Sequence, residues 1–430
     1  MAEPTDLPQE IIDEIISKIS KDRPALKNCA LASRTLLFSS RIRLFSSIKL
    51  DQAWLCKGLH ILLTENPRLA TYIHSITLSI GETSWSMEPA WLSVDGSLPD
   101  VLDMLSSLHS VSLEIDNEVG WMQISPQIAA AIFRMFALPS LMSIRIMGLD
   151  EVPISFFYIS ATIEQLELIE VTFERTSDFD PGTPTSLSFG SLDFDPGLYA
   201  PLHVELSLWS AIVESPDSCF SRMSTLRVYP SSKNFRTIRP LLGMAADSLV
   251  SIHLDLQYRR DCNSTSRDLR AFKFSLSKLT SLQSLSLTFL VLYRTLDELL
   301  KNFRTLSRDL LAFLASSAST IERIETLTLT FKPKVDYALD QKVPWPHLPS
   351  ILADSIDLWG RLDEAICSYR RSNGFRVNIV LSLQQPRERN QLVDIRRAWQ
   401  RLMKGKLPML EERRVLILEA DSFHEDFPED

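Results

Sequence analysis

One short phrase returns along this chain, and its recurrence limits the fold more than any other feature. Leu108-His109-Ser110-Val111-Ser112-Leu113 matches Leu141-Met142-Ser143-Ile144-Arg145-Ile146. Both match Leu249-Val250-Ser251-Ile252-His253-Leu254 and Leu282-Gln283-Ser284-Leu285-Ser286-Leu287. Leu108 and Leu141 are 33 residues apart, as are Leu249 and Leu282. Weaker copies stand at Ser75-Ile76-Thr77-Leu78, Gln165-Leu166-Glu167-Leu168, Thr225-Leu226-Arg227-Val228 and Thr326-Leu327-Thr328-Leu329. Each copy alternates apolar and polar residues, as a half-buried strand does. Helical spacing fills the intervals, at Pro126 to Phe136, Phe235 to Ala246 and Leu296 to Leu314, and returns past the last copy at Ile351 to Tyr369. Strand, helix and strand in alternation predict parallel strands joined by helical crossovers.

The phrase resembles the Leu-x-x-Leu-x-Leu of leucine-rich repeats, over about residues 70 to 331. The asparagine that family carries after the strand is missing: Met147-Gly148 follows Ile146. Spacing between copies drifts from 22 to 42 residues, with one gap of 60 between Leu166 and Leu226. The expected fold is therefore α/β, an irregular leucine-rich-repeat-like solenoid with parallel strands, and the alternative is an open α/β sheet without repeats. Arg376 to Leu381 and Arg414 to Leu418 are expected closing strands around a helix from Asn390 to Met403. The widest gap is expected to hold an inserted loop. Within it Asp178-Phe179-Asp180-Pro181-Gly182 is echoed by Asp193-Phe194-Asp195-Pro196-Gly197, which is turn chemistry suited to a plain insertion or to a partner contact.

Ahead of the repeats, Leu7 to Leu50 has a different pattern. Pro8 suits the first turn of a helix, and Ile11, Ile12, Ile15, Ile16 and Ile19 follow at helical spacing. Lys21-Asp22-Arg23-Pro24 is read as a break, Leu26 to Arg34 as a second helix, Leu36 to Phe45 as a third segment and Ser47 to Leu50 as a strand. Three helices in about 40 residues cannot bury so many Ile and Leu side chains alone, so the surplus needs a cover.

Leu7-Pro8-x-Glu10-Ile11, then Leu26-x-x-Cys29-x-Leu31-x-Ser33-Arg34, then Arg43-Leu44-Phe45-x-x-Ile48-x-Leu50 together resemble the F-box of fungal F-box proteins. Leu36 and Leu37 stand where many members have Trp soon after the Ser-Arg pair. The resemblance implies a three-helix module that docks on the adaptor subunit of a cullin–RING ubiquitin ligase, with Leu7, Pro8, Ile11, Ile15, Leu26, Cys29 and Leu31 as the adaptor-binding residues. A helical cap on a solenoid is the other reading of the same helices. The expected organisation is a module at 1–50, the solenoid with its cap at 51–420 and an acidic disordered tail at 421–430.

No arrangement of chemistry-bearing residues competes with binding. Net charge is −9, against a general nucleic-acid or anionic-membrane role. The five cysteines are scattered without a C-x-x-C pair, so no metal or cofactor is expected. The acidic, helical start is not read as a signal peptide and no long apolar run reads as a membrane span, so a cytoplasmic or nuclear location is expected. His203-Val204-Glu205 has the spacing of a zinc deaminase without the cysteines that would complete it. The cluster Arg387, Arg389, Arg396, Arg397, Arg401, Lys404 and Lys406 reads as a solvated helix face.

Alternation turns Ser112, Glu114, Arg145, Glu167, Arg227, His253, Asp255, Ser286 and Thr328 outward on the strands, where mixed hydroxyls and charges suit a protein surface. The expectation is a non-catalytic substrate receptor that binds the ligase adaptor and cullin at one end and a protein target along the repeats. A repeat scaffold that transfers no ubiquitin is the alternative.

Overall fold

A computed structural model describes residues 7–20, 22–80, 91–115, 120–174, 187–195, 218–229, 235–258, 276–335, 348–354, 358–369, 374–384 and 389–423. The chain divides into two compact units, Met1–Leu208 and Trp209–Asp430. Both are α/β, with parallel strands that pair in chain order.

The first unit opens with three helices, α1 (Gln9–Lys18), α2 (Arg23–Ala32) and α3 (Arg34–Phe45). Pro8 precedes α1 as its N-cap residue rather than occupying its first turn, with φ −54. Pro24, expected in a break, lies in the first turn of α2, where its missing N–H costs no helical bond. Asp22 is the cap there, its carboxylate accepting from Ala25 N–H at 2.9 Å. Ser33, read as part of the second helix, instead caps α3 through Thr35 N–H at 3.2 Å.

After these come β1 (Ser47–Leu50), α4 (Ala53–Glu65), β2 (Ser75–Ser79), α5 (Trp91–Val94), α6 (Leu98–Met104), β3 (Ser110–Glu114), α7 (Pro126–Phe136), β4 (Ser143–Met147), β5 (Thr162–Ile169) and β6 (Ser188–Asp195). The second unit holds β7 (Thr225–Val228), α8 (Phe235–Met244), β8 (Ser251–Tyr258), β9 (Ser284–Tyr293), α9 (Leu296–Ser316), β10 (Thr326–Val335), α10 (Leu348–Asp354), α11 (Leu358–Ser368), β11 (Arg376–Gln384), α12 (Arg389–Lys406), α13 (Pro408–Glu412) and β12 (Leu416–Phe423). The single helix expected over 351–369 is α10 and α11, with 355–357 outside the described residues.

The repeated phrase sets one register. Ile76, Val111, Ile144, Leu166 and Leu192 stand side by side in the first unit, and Leu78, Leu113, Ile146, Leu168 and Phe194 form the next row, all fully buried or nearly so. In the second unit Leu226, Ile252, Leu285, Leu327 and Val377 do the same. A backbone device marks seven of the rungs, in which one carbonyl accepts from two successive N–H groups of the next strand's start. Ser46 O takes His74 and Ser75, His74 O takes His109 and Ser110, His109 O takes Met142 and Ser143, and Met142 O takes Glu164 and Gln165. Ser224, Val250 and Gln283 repeat it in the second unit. These strands are thereby pinned against slipping, and a one-residue slip would turn a buried row outward.

Two corrections follow from this register. The widest gap is not a continuous inserted loop, because Phe189-x-x-Leu192-x-Phe194 is another copy of the phrase and forms β6, paired with β5. Asp193 to Asp195 close that strand, while Asp178 to Gly182, Pro196 and Gly197 lie outside the described residues. At the other end β12 runs to Phe423, three residues into the stretch expected to be a disordered tail, because Asp421, Ser422 and Phe423 pair with Ser382, Leu383 and Gln384. Residues 424–430 lie outside the described residues.

Phe45-x-x-Ile48-x-Leu50 also obeys the phrase. Ile48 and Leu50 pair with Ile76 and Leu78, and Ser46 makes the first two-donor carbonyl. The three helices therefore feed straight into the first rung.

Candidate functional site

The five isoleucines of the N-terminal stretch serve two faces. Ile12 and Ile16 are buried with Leu26, and Ile19, Cys29, Leu36 and Leu44 pack around them. Leu7, ahead of the helix, and Ile11 and Ile15 on the adjacent face recur every four residues and keep 48%, 44% and 48% of their surface exposed. Side chains held half open at this regular spacing are not core residues. Leu31, at the end of α2, is 87% exposed, and Pro8 is exposed as well. Of the thirteen large exposed hydrophobic side chains among the described residues, seven belong to the first 61 positions, so the apolar surplus is densest at this end.

The orientation of α1 is fixed by a polar clasp as well as by its buried face. Ser39 Oγ of α3 donates to Asp13 Oδ1 at 2.5 Å, and Gln9 Nε2 donates to Asp13 Oδ1 and to Ser39 Oγ, each at 2.9 Å. The Ser39 bond, then the Gln9 bond, holds the Asp13 carboxyl below its ordinary value. Glu10 in the first turn of α1 and Lys18 in the last match the helix dipole.

Of the seven residues expected to contact an adaptor, Leu7, Pro8, Ile11, Ile15 and Leu31 are on the surface, and Cys29 is half-buried. Leu26 is only 1% exposed: it is a core residue that holds α2 against α1, not a contact.

The outward residues of the strands form continuous rows in each unit. In the first, Lys49, Thr77, Ser112, Arg145, Glu167 and Asp193 stand side by side, and Ser47, Ser75, Ser110, Ser143, Gln165 and Ser191 form the neighbouring row. Glu114 lies one row further along, between Ser79 and Met147. In the second unit Arg227, His253, Ser286, Thr328, Asn378 and Ile417 share a row, and Asp255 sits in the next one beside Thr288. The nine expected residues are thus gathered into rows within their own units. Lys49, Asp193 and Asn378 belong to the same rows and were missed. The phrases around Phe45 and Phe189 carry the signal for the first two, and Asn378 follows from alternation in β11.

These faces are partly self-neutralised. Arg227 Nε lies 2.7 Å from Asp255 Oδ2, and its guanidinium stands 5.2 Å over the Tyr229 ring. Arg145 Nε is 3.6 Å from Glu167 Oε2. Ser286 is 7% exposed and offers little to a partner, whereas Ser112, Thr328 and Glu114 remain half-open.

His253 Nε2 is 3.3 Å from Ser251 Oγ. Burial, then the Arg227 charge, lowers the His253 pKa, and Asp255 opposes the shift only in part. A value lower in the folded chain than in the unfolded one means a contribution whole above about pH 6.5 and lost as pH falls toward the folded value. His253→Gln is therefore expected to flatten the fall in urea midpoint between pH 7.5 and pH 5.5, and an unchanged slope would refute the coupling.

Cys56 is buried, and burial pushes its thiol up to about 11, which makes it an inert core residue rather than a nucleophile. Among the described residues no group of three or more His, Cys, Asp and Glu side chains could hold a metal ion. No helix among them is long and apolar enough to cross a membrane. His203, Glu205, Cys262 and Asn263 lie outside the described residues. No protein-family model and no curated protein matches this chain.

Proposed function

We propose that this chain is a non-catalytic substrate receptor of a cullin–RING ubiquitin ligase, an F-box module followed by an irregular leucine-rich-repeat-like solenoid. The observation that carries the reading is the stripe of Leu7, just ahead of α1, with Ile11 and Ile15 on it, left half-open while the neighbouring Ile12 and Ile16 are sealed. Leaving three aliphatic side chains in water forgoes about 1 kcal/mol each, which a partner recovers on docking. The F-box resemblance names that partner as the ligase adaptor. The outward rows, small hydroxyls among paired charges, are the target-binding face, and intracellular residence goes with the reading. Function is then proximity: the target is held at high local concentration beside a charged ubiquitin carrier borne by the rest of the complex.

Mixing the purified chain with adaptor and then with cullin tests this. Co-elution of all three on gel filtration is expected, and Leu7→Ala with Pro8→Ala should remove the chain from the complex. Failure of the unaltered chain to bind adaptor would overturn the reading.

The pairing of β1 with β2 favours a second role for the same helices, as the cap of the repeats. A cap alone needs no open apolar stripe, so the two roles separate by experiment. Binding of adaptor with exclusion of cullin would favour the scaffold that transfers no ubiquitin.

A further inference from the structure

The last strand, β12, presents an edge, and open strand edges recruit other strands. In a parallel ladder, alternate residues turn both backbone groups toward the same neighbour. Val377 N–H donates to Val415 O at 2.8 Å, so residues 415, 417 and 419 serve β11, while Leu418 and Ala420 turn theirs to the open side. By the same alternation Leu416 and Ser422 also turn outward, and the two middle carbonyls of this edge are taken by side chains of α12. Gln400 Nε2 donates to Leu418 O at 2.9 Å, and Arg396 Nε donates to Ala420 O at 3.0 Å.

The spacing explains the fit. Four residues of helix advance about 6 Å and two residues of strand about 6.6 Å, so donors at i and i+4 meet successive outward carbonyls. Ile395, Trp399 and Met403 are buried along the same helix and keep the donors in place. Glu419 and Asp421, both exposed on the strand, add like charge to the edge.

We infer that Arg396 and Gln400 are an edge guard: they keep β12 from pairing with the β12 of a second copy of this chain. A strand edge related to itself by a two-fold axis is self-complementary, so a second copy is the partner always present. The guard occupies the two central acceptors that such a partner's N–H groups need.

Sedimentation of Arg396→Ala with Gln400→Ala, followed with concentration, tests the inference. Loss of Arg396 makes the chain more negative, so simple electrostatics would weaken self-association. The edge guard predicts the reverse, an apparent dimer constant at least tenfold tighter than the parent's. Association should strengthen with salt, which screens Glu419 and Asp421. Hydrogen exchange should show the amides of Leu418 and Ala420 newly protected in the associated form. Arg396→Lys, which keeps a cationic donor, should sediment as the parent does. If the double variant loses its circular dichroism, Gln400→Ala alone is read in the same assays, with association still tighter than the parent's but by a smaller factor. A folded variant that sediments as the parent at every concentration, with unprotected edge amides, overturns the inference.

Discussion

Ile11→Asp together with Ile15→Asp is expected to abolish adaptor binding while leaving the melting temperature within about 2 °C of the parent. Both side chains are about half exposed, so carboxylates there meet water rather than a core. Covering Leu7, Ile11 and Ile15 in a complex is worth about 3 kcal/mol, roughly two decades in Kd, and buried unpaired carboxylates add further cost. Leu26→Asp is the contrasting variant. Leu26 is 1% exposed between Ile12 and Ile16, so a charge there should unfold the three helices and lose binding only as a consequence. Calorimetry with purified adaptor, paired with thermal melts, separates the two outcomes. Equal melting losses in both variants would mean that Ile11 and Ile15 are core residues after all, and intact binding by Ile11→Asp with Ile15→Asp would remove the docking surface.

Why the stripe could be seen in the sequence but not sorted is a matter of periodicity. Ile11, Ile12, Ile15, Ile16 and Ile19 all satisfy helical spacing, so spacing alone marks a broad apolar helix without saying which edge turns inward. That choice is made by residues distant in sequence: Leu26, and Ser39 reaching Asp13 across 26 positions. The repeat was more legible, because a period-2 strand carries its facing in each copy. Copies with Leu, Ile or Val at the buried positions were recognised as strands, although Ser47 to Leu50 was not seen as a copy of the phrase. The copy with Phe189 and Phe194 was not, since Gly190 and the neighbouring Asp-Pro-Gly read as loop chemistry. Gly190 has a use there: a Cβ at that position would come within 3.3 Å of Glu164 O on the adjacent strand. The outward rows were legible by the same alternation, but their ion pairs were not. Arg227 and Asp255 are 28 residues apart and meet only once β7 and β8 are in register.

The same limit governs Asp363, whose role no local pattern announces and whose loss is expected to damage the second unit as much as truncating a large side chain of its apolar core would. Asp363 is 2% exposed on α11, with Oδ2 accepting from Met409 N–H at 2.8 Å and Oδ1 from Leu410 N–H at 2.9 Å. These are free donors of the first turn of α13, where Pro408 has no N–H and the cap residue Leu407 has no side-chain oxygen to offer. Asp363 thus caps a helix from another helix, and a carboxylate at an N-terminus also meets the favourable end of the dipole. Hydrogen bonds to a charged group are worth about 1.5–3 kcal/mol each, so Asp363→Ala should cost about 3–5 kcal/mol. Asp363→Asn keeps one acceptor oxygen but turns an NH2 toward the other N–H, so it should recover less than half of that. Urea unfolding followed by Trp359 and Trp399 fluorescence, whose rings lie 5.8 Å apart in this unit, reads the loss directly. Faster hydrogen exchange at Met409 and Leu410 should accompany it, and an Asp363→Ala midpoint within error of the parent's would show that α13 is held by Leu410 and its apolar neighbours alone.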